Sequence, residues 1–452
     1  MSTPVSCDLL IRDATLVDSV AGGSATRVRA NHDIAVTGNA ISAVAPTGTL
    51  EVSAKHSVDG HSYATLPGLV NAHAHSAMSL LRGLAEDVDV TTWFNDIIWR
   101  VESNLTPEDA YWGMKLAIVE MIESGVTTVA DHYMFMADIA RACQESGMRA
   151  HLAPTMFDQD PDRELGQAAD FVAQWHRGAG GRITAWLGPH SPYLCSPQFL
   201  QRCVGLAGEL GVGIHLHLAE TRSQVTASLN AHGLTPPKHL QKVGLFDVPV
   251  LCAHATHATS DDIRLLAQHR AGVAHCPKTF LKLASGIANI SEMLDHEVAV
   301  GFGSDGPASN NTLDILEQMR LAAMLQKHQH GNAALLNTAQ ALALASGGGA
   351  RALRQDQLVG ALEVGHLADL VLIDLSGAHL QPLHDLPAAL VYSARAADVD
   401  TVIVDGQLLM EKRRLVSLDK EEVIAEASQR GFRLAGSPKG RRIQTFPGGP
   451  DA

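Results

Sequence analysis

The sequence predicts an α/β protein: a (β/α)8 barrel of the TIM type with a small β-sandwich built from both chain ends. The barrel is favoured because apolar strand-like runs alternate with segments of helical periodicity, which is typical of a parallel sheet with crossover helices. Eight such runs occur, the number that a barrel needs. The sandwich is predicted from the short alternating runs, broken by Gly, Asn and Ser, that both chain ends share.

Each barrel strand is predicted from its own apolar run. The first four runs are 65–75 (TLPGLVNAHAH), 125–133 (GVTTVADHY), 149–157 (RAHLAPTMF) and 182–193 (RITAWLGPHSPY). The other four are 211–220 (GVGIHLHLAE), 248–257 (VPVLCAHATH), 271–279 (AGVAHCPKT) and 298–306 (VAVGFGSDG). Segments such as 107–124 lie between strands and carry apolar residues at helical spacing, and Asn104-Leu105-Thr106-Pro107 is a helix start signal.

The domain organisation follows from where these two sequence patterns occur. We expect residues 1–64 and 361–433 to form the two parts of the sandwich, residues 65–360 the barrel, and residues 434–452 a tail. The tail is rich in Gly, Pro and charge, so we expect it to be loosely ordered or packed on the surface. Hairpin turns are predicted at 36–39 and, more strongly, at Asp405-Gly406.

Composition excludes several classes of protein. A hydrophobic content of 46% is enough for a large core. The formal charge of −14 argues against a nucleic-acid partner, and six cysteines without a CxxC pair argue against a disulfide framework. The sequence begins without a targeting signal, and no apolar run reaches the ~18 residues needed to span a bilayer. We therefore expect a cytoplasmic protein with no membrane partner.

Two histidines end the first predicted barrel strand. Side chains at i and i+2 of a strand share a face, so His73 and His75 can present two imidazoles to one point. A buried imidazole needs a hydrogen bond or a metal for each ring nitrogen. The HxH pattern alone is weak evidence for a metal site, because two ordinary polar positions near a strand end produce it as well.

Polar residues at the ends of later strands strengthen the metal interpretation, because active sites of such barrels lie at the C-terminal face. These residues are His215, His217 and Glu220 of the fifth strand, His254 of the sixth and Asp305 of the eighth. Three imidazoles and one carboxylate suit zinc or iron(II), with a position left for water whose pKa falls toward about 7. Glu220 is placed to accept and return a proton. For Asp305 the alternative interpretation is a cap of the following helix.

Some histidines keep more than one interpretation. His215 shares a face with His217, so either can be the ligand, and the HxxE spacing favours His217. We interpret His254 as a hydrogen-bond partner of the bound water, with a ligand and a core histidine as the alternatives. His132 and His275 are interpreted as structural, because the four-ligand set is complete without them.

The motifs PGLVNAHAH, HLHLAE and GSDGPASNN, with the AH of the sixth strand, together resemble the amidohydrolase superfamily, in its branch of single-metal deaminases and chlorohydrolases. The resemblance covers nearly the whole chain. It implies that His73, His75, His217 and Asp305 hold one divalent ion, Zn²⁺ or Fe²⁺, that Glu220 shuttles protons and that His254 assists the water. The predicted fourth strand has no lysine to be carboxylated, so a two-metal site is not expected.

Within that branch, three stretches resemble the 5'-methylthioadenosine/S-adenosylhomocysteine deaminases: 78–94, Glu102 in WRVESNLT, and 188–196. The resemblance implies that Glu102 accepts hydrogen bonds from ribose hydroxyls and that His190 contacts the purine or the sugar. Arg163 matches a substrate-binding arginine loosely, because the loop around it differs in length. The implied reaction converts an adenosine-type nucleoside to its inosine form with release of ammonia, and the implied assembly is a homo-oligomer.

One departure keeps other substrates open. Where the family commonly has NPxSNxKL, this chain has CPKTFLKL, with Lys278, Thr279 and Phe280 in a loop expected to face the pocket. A cation and an aromatic ring there can change which ring or leaving group is accepted. The alternative function is therefore hydrolysis of a non-nucleoside heterocycle of the triazine, guanine or pterin type. A non-catalytic barrel scaffold is the remote alternative.

Overall fold

The computed structural model describes residues 5–19 and 25–446. Its strands are β1 (Val5–Ser19), β2 (Thr26–Thr37), β3 (Ala40–Pro46), β4 (Val52–Asp59), β5 (Tyr63–Pro67), β6 (Leu69–Ala74), β7 (Val126–Tyr133), β8 (Arg149–Met156), β9 (Ile183–Ala185), β10 (Gly188–Pro189), β11 (Ile214–Leu218), β12 (Val250–His254), β13 (Gly272–His275), β14 (Ala299–Phe302), β15 (Leu370–Asp374), β16 (Val399–Val404), β17 (Gln407–Glu411) and β18 (Arg414–Leu415).

The α-helices are α1 (Val90–Thr92), α2 (Trp99–Glu102), α3 (Pro107–Glu123), α4 (Met136–Ser146), α5 (Pro161–Trp175), α6 (Pro197–Leu210), α7 (Arg222–His232), α8 (Pro236–Val243), α9 (Ser260–Gln268), α10 (Pro277–Lys282), α11 (Ile290–Asp295), α12 (Pro307–Asn310), α13 (Ile315–His330), α14 (Thr338–Ala343), α15 (Gly349–Ala352), α16 (Leu386–Tyr392) and α17 (Lys420–Gly436). A π-helical turn, Trp93–Ile98, joins α1 to α2. Among the described residues, no helix is both long and apolar enough to cross a membrane.

The barrel consists of two parallel arcs. One arc has the order β10-β8-β7-β6 with β9 also paired to β8, and the other has the order β11-β12-β13-β14. Isolated parallel bridges, Leu187 to Ile214 and Ala74 to Asp305, join the arcs at both edges. The predicted barrel is confirmed, and its strand ends meet on one face.

The chain ends share one continuous nine-stranded sheet, in which β15 from the C-terminal part pairs antiparallel with β5. The run predicted as the first barrel strand is therefore divided between this sheet (β5) and the barrel (β6). The division lies at Gly68, where the backbone changes partners: Gly68 N donates to Asp369 O at 2.8 Å, and Leu69 N donates to Gly125 O at 3.1 Å. A β unit from both ends is confirmed, although its hydrogen bonding runs as a single sheet.

The strongest predicted turn is confirmed. Asp405 and Gly406 have φ of 53° and 75° and join β16 to β17, as a two-residue hairpin turn requires. A Cβ on Gly406 would lie 2.4 Å from the carbonyl oxygen of Gly38, in the turn between β2 and β3. The two predicted turns are thus in contact, and glycine is needed at the second for space as well as for φ.

The described part of the C-terminal tail packs against the barrel. After α17, residues 437–446 follow the C-terminal face of the barrel, and the Phe446 side chain is only 2% exposed. Of the two alternatives expected for the tail, loosely ordered or packed on the surface, this part takes the second, because the large aromatic side chain of Phe446 packs on apolar partners of the barrel. The rest of the predicted tail, 447–452, lies outside the described residues.

Candidate active site

Four barrel strands bring histidine and aspartate side chains to one point. Nitrogen atoms of His73, His75 and His217 all lie within 4.8 Å of one another, and His73, His254 and Asp305 form an overlapping group. The Nε2 atoms of His73 and His75 lie 3.6 and 3.4 Å from Asp305 Oδ1, and those of His75 and His217 lie 3.2 Å apart. The sequence-predicted ligand residues are thus assembled in one cluster.

Backbone carbonyl groups orient two of these imidazoles. His75 Nδ1 lies 2.5 Å from His132 O, and His217 Nδ1 lies 2.8 Å from His190 O. A carbonyl oxygen only accepts, so each Nδ1 carries the proton and each Nε2 directs its lone pair into the cluster. This is the tautomer that a metal-binding histidine needs.

The hydrogen bonding of the two ring nitrogens of His73 indicates whether the cluster suits a metal ion. Its Nδ1 lies 2.9 Å from His215 Nε2, and its buried Nε2 has no hydrogen-bond partner among the described residues. A buried imidazole nitrogen without a partner is costly unless a ligand occupies it. Together with two other lone pairs and a carboxylate, this nitrogen completes a donor set that fits zinc. His217 belongs to the set, and His215 supports His73.

Backbone strain and charge mark the residues at the ends of β12 and β14. His254 and Asp305 have left-handed φ of 80° and 62°, conformations that non-glycine residues keep mainly where the surrounding structure holds them. Burial tends to raise the pKa of Asp305, but the nearby imidazoles, with His73 Nε2 at 3.6 Å from its carboxylate, hold that pKa below its usual range. Asp305 is therefore an ionised acceptor at neutral pH.

Glu220 lies just past the end of β11 and is buried. Burial, together with the negative charge of Asp305, raises the pKa of Glu220 to about 7. The Tyr193 hydroxyl donates to Glu220 Oε2 at 3.2 Å, and Gln224 Nε2 donates to the same atom at 3.4 Å. A carboxyl group with this pKa can both accept and donate a proton at neutral pH.

A pocket with about 550 Å³ of empty space, partly open to solvent, contains the cluster. Its aromatic wall is formed by Trp93, Phe94, Trp99, Tyr133 and Phe157. Glu102 also lines it, accepts the Tyr133 hydroxyl at 2.5 Å, and has a pKa raised by burial to about 7. His190 stacks on Phe157 with 5.3 Å between ring centroids, and burial lowers the pKa of His190 to about 3. We call this space the catalytic pocket.

Comparison with known proteins agrees with this arrangement. Residues 64–409 match the amidohydrolase family. The chain is 45% identical to the 5-methylthioadenosine/S-adenosylhomocysteine deaminase of Pelotomaculum thermopropionicum, over 94% of this chain and 99% of that protein. The chain belongs to the amidohydrolase family.

Solved structures extend the comparison to bound metal. An adenosine deaminase from Xanthomonas campestris with bound zinc has a TM-score of 0.91 and 34% identity, over 95% of this chain and 99% of that one. An atrazine chlorohydrolase from Arthrobacter aurescens, complexed with zinc, has a TM-score of 0.86 and 26% identity, over 94% of this chain and all of the other. Similarity to both zinc-bound structures supports the metal interpretation of the cluster.

Two other sequence-predicted positions lie away from the metal-ligand cluster of this amidohydrolase. Arg163 lies in the first turn of α5, is largely exposed, and has its Nε 3.3 Å from Asp160 Oδ2. Lys278 was expected to face the pocket, but its Nζ lies 2.8 Å from Glu317 Oε2. Helix α10 begins at Pro277, and successive helical side chains point in different directions, so the neighbouring Phe280 meets the His254 ring instead, at 5.0 Å.

Several site residues were not predicted from the sequence. These are Tyr193, Gln224, Tyr133 and the aromatic side chains of the pocket wall. Gln224 had a detectable signal, because Thr221 and Gln224 form a capping box at the start of α7. The aromatic residues of the pocket wall had no motif of their own, although Trp93 and Phe94 lie in the stretch 78–94 that resembles the deaminases, because buried aromatic side chains are equally typical of a core.

Proposed function

We propose that this amidohydrolase is a metal-dependent deaminase of an adenosine-type nucleoside: 5'-methylthioadenosine, S-adenosylhomocysteine or adenosine. Hydrolysis would give the inosine form and ammonia. The observation that carries the proposal is the three-histidine, one-aspartate cluster beside Glu220, in a pocket that also contains the buried carboxyl of Glu102. The names of the deaminase relatives and of the adenosine deaminase neighbour support the substrate class.

The proposed metal ligands are His73, His75, His217 and Asp305. Zinc is favoured because solved relatives bind it, and iron(II) is the other candidate for this donor set. When bound, such an ion lowers the pKa of a coordinated water toward about 7 and so makes a nucleophile available at neutral pH.

Different side chains carry the proton transfers at the water and at the substrate. Asp305 is ionised and His254 lies beside it, so together they orient the attacking water and accept its proton. Glu220 donates one proton to the ring nitrogen, takes up the proton of the added hydroxyl as the ring carbonyl forms, and passes it to the amino group, which leaves as ammonia. The proton that Asp305 and His254 took from the water then restores protonated Glu220. Its pKa of about 7 allows both directions of transfer, and Tyr193 and Gln224 fix its position.

The proposed nucleoside lies along the aromatic wall. Flat apolar side chains suit a purine ring, and Glu102 is the buried acceptor available to ribose hydroxyls. His190, stacked between Phe157 and His217, lies at the pocket where the base or sugar would pass. Arg163 remains a candidate for the outer part of the substrate.

Ammonia release from a substrate panel tests this function. We expect turnover of adenosine, 5'-methylthioadenosine and S-adenosylhomocysteine, and much weaker turnover of free adenine, which lacks the ribose that Glu102 would bind. Equal rates with adenine and adenosine would remove that role. Turnover confined to aminotriazines, guanine or pterins would replace the nucleoside by another heterocycle. Less than about a tenth of an equivalent of metal, with no turnover, would favour a non-catalytic barrel.

A further inference from the structure

The C-terminal segment 437–446 is attached to the part of the chain that carries the aromatic wall. Its contacts with residues 95–104 are Asn104 Nδ2 to Pro438 O (3.0 Å), Lys439 Nζ to Asp96 O (2.8 Å), Gly440 N to Arg100 O (3.0 Å) and Arg442 Nε to Asn95 O (3.0 Å). A Cβ on Gly440 would lie 2.0 Å from Ser103 Oγ and 3.1 Å from Arg100 O, so a larger residue would require Ser103 to move. The two segments therefore form one packed layer.

Phe446 ends this layer inside the protein. Its backbone N donates to Asn95 Oδ1 at 2.8 Å, and Asn95 Nδ2 donates to Phe446 O at 3.2 Å, a reciprocal pair in which both residues are buried. The Phe446 ring stacks on Phe94 at 4.4 Å and 10°, and meets Tyr193 edge-on at 5.7 Å. Phe94 lines the catalytic pocket and Tyr193 donates to Glu220. Phe446 thus packs against two residues of the site, Phe94 and Tyr193.

The same segment borders a second space, which we call the outer cavity. It has about 1540 Å³ of empty space, part of it open to solvent, against about 550 Å³ for the catalytic pocket, with which it shares Glu102, Tyr133, Thr155 and Phe157. The two are therefore adjacent. Arg441 and Ile443 of the C-terminal segment line the outer cavity, so the segment borders the space that lies beyond Glu102.

The charges around the outer cavity leave one cation available. Glu164 accepts hydrogen bonds from the four backbone N–H groups of residues 157–160, at 2.7–3.2 Å. Arg163 is paired with Asp160 at 3.3 Å. In the described part of the chain, Arg441 makes no ion pair within 4.0 Å. An anionic group in this cavity would meet Arg441 without displacing an existing carboxylate.

We infer that residues 437–446 are part of the substrate-binding site, with Phe446 positioning the aromatic wall and Arg441 binding a carboxylate beyond the sugar. The inference rests on the proposed nucleoside deaminase function. If Glu102 binds the ribose, a 5'-substituent extends past Glu102 into the outer cavity. S-adenosylhomocysteine carries a carboxylate on that substituent, whereas adenosine and 5'-methylthioadenosine do not.

The Phe446→Ala enzyme tests the positioning role. Loss of the ring that stacks on Phe94 frees that side chain of the aromatic wall, so we expect KM for adenosine to rise about 3- to 10-fold, with kcat within about 2-fold and zinc content unchanged. Phe446→Tyr keeps a ring and should restore KM. Phe432→Ala is the matched control, because Phe432 lies on α17 and is 79% exposed. An unchanged KM for Phe446→Ala, or an equal rise for Phe432→Ala, would overturn the positioning role.

The Arg441→Gln enzyme tests the anion contact. We expect kcat/KM for S-adenosylhomocysteine to fall about 10-fold or more, while the values for adenosine and 5'-methylthioadenosine stay within about 2-fold. Arg163→Gln is the comparison, since Arg163 lines the same cavity. A loss limited to Arg163→Gln, or an equal loss for all three nucleosides, would overturn the role of Arg441. If the wild-type enzyme deaminates none of the three, the proposed function fails instead, and this inference fails with it.

Discussion

Two buried carboxyl groups of the site have opposite proton affinities. The pKa of Asp305 is held low by the histidines around it, whereas that of Glu220 rises to about 7 because burial and the charge of Asp305 disfavour its ionised form. Such a division is how one pocket provides both an anionic ligand and an acid or base at neutral pH. The residue type alone does not distinguish them; the neighbours do.

Glu220→Gln should lose deaminase activity while keeping its metal. Glutamine preserves the shape and the contact with Tyr193 but cannot transfer the proton, so we expect kcat to fall by about 100-fold or more. Activity on adenosine and metal per chain are measured together. His215→Asn is the comparison variant, because His215 contacts the proposed metal ligand His73 but no reacting group. A Glu220→Gln enzyme that keeps most of its turnover with metal bound would contradict the assignment.

Glu102 should make stability depend on pH. Its pKa in the folded protein is about 7, above the ordinary value of 4.5, so its contribution to the free energy of unfolding is fully present below pH 4.5 and is lost as the pH rises through 7. Glu102→Gln removes the buried charge. We expect it to be more stable than the wild type at pH 8 by roughly 1–3 kcal/mol, with little of that gain at pH 5. Urea unfolding at both pH values measures this, and an equal difference at both would refute it.

At the scale of elements, the barrel and the terminal sheet are joined by a buried ion pair. Arg149 at the start of β8 donates to Asp369 Oδ2 at 2.6 Å and to Asp405 Oδ1 at 3.1 Å. Asp405 belongs to the β16–β17 turn that the sequence predicted, and Asp369 precedes β15. The composition of each of the three segments predicted a strand or a turn. None of the segments indicated the ion pair of Arg149 with Asp369 and Asp405, because the three residues lie far apart in the chain.

Arg149→Ala should destabilise the protein by about 3–5 kcal/mol, because it leaves the buried carboxylate of Asp369 without its cation and the half-buried Asp405 with Arg182 alone, at 4.0 Å. Thermal or urea unfolding measures the loss. Lys238→Ala is the control, since Lys238 pairs with Asp261 on the surface, where an ion pair contributes at most about 1 kcal/mol. A loss for Arg149→Ala no larger than that of the control would show that the pair does not hold the two units together.

At the scale of the whole molecule, the proposed metal would connect strands from opposite arcs of the barrel. His73 lies in β6 of one arc and His75 directly follows it, whereas His217 lies in β11 of the other arc and Asp305 follows β14 there. An ion bound by all four would therefore stabilise the closed barrel as well as the site. The homo-oligomer implied by the family resemblance stays a prediction, to be checked by light scattering.

Metal removal should lower stability and activity together. A ligand that binds only the folded state contributes about 4 kcal/mol when its free concentration is 1,000 times its Kd, so chelation should lower Tm by several degrees. Adding zinc back should restore both Tm and turnover. In His217→Ala, which lacks one proposed ligand, the Tm should respond much less to chelation and zinc. A wild-type Tm that does not change on chelation would argue against a metal that joins the arcs.

The sequence by itself determined the barrel and the residues at its strand ends. In a parallel barrel all strands point the same way, so His73, His217 and Asp305 must meet at one face once the strands are found. The tertiary structure decided which nitrogen faces the cluster, that Lys278 pairs with Glu317, and that Phe446 reaches Asn95, 351 positions earlier. These contacts depend on how helices and the tail pack across the barrel, and short-range periodicity contains no information about such distant pairs.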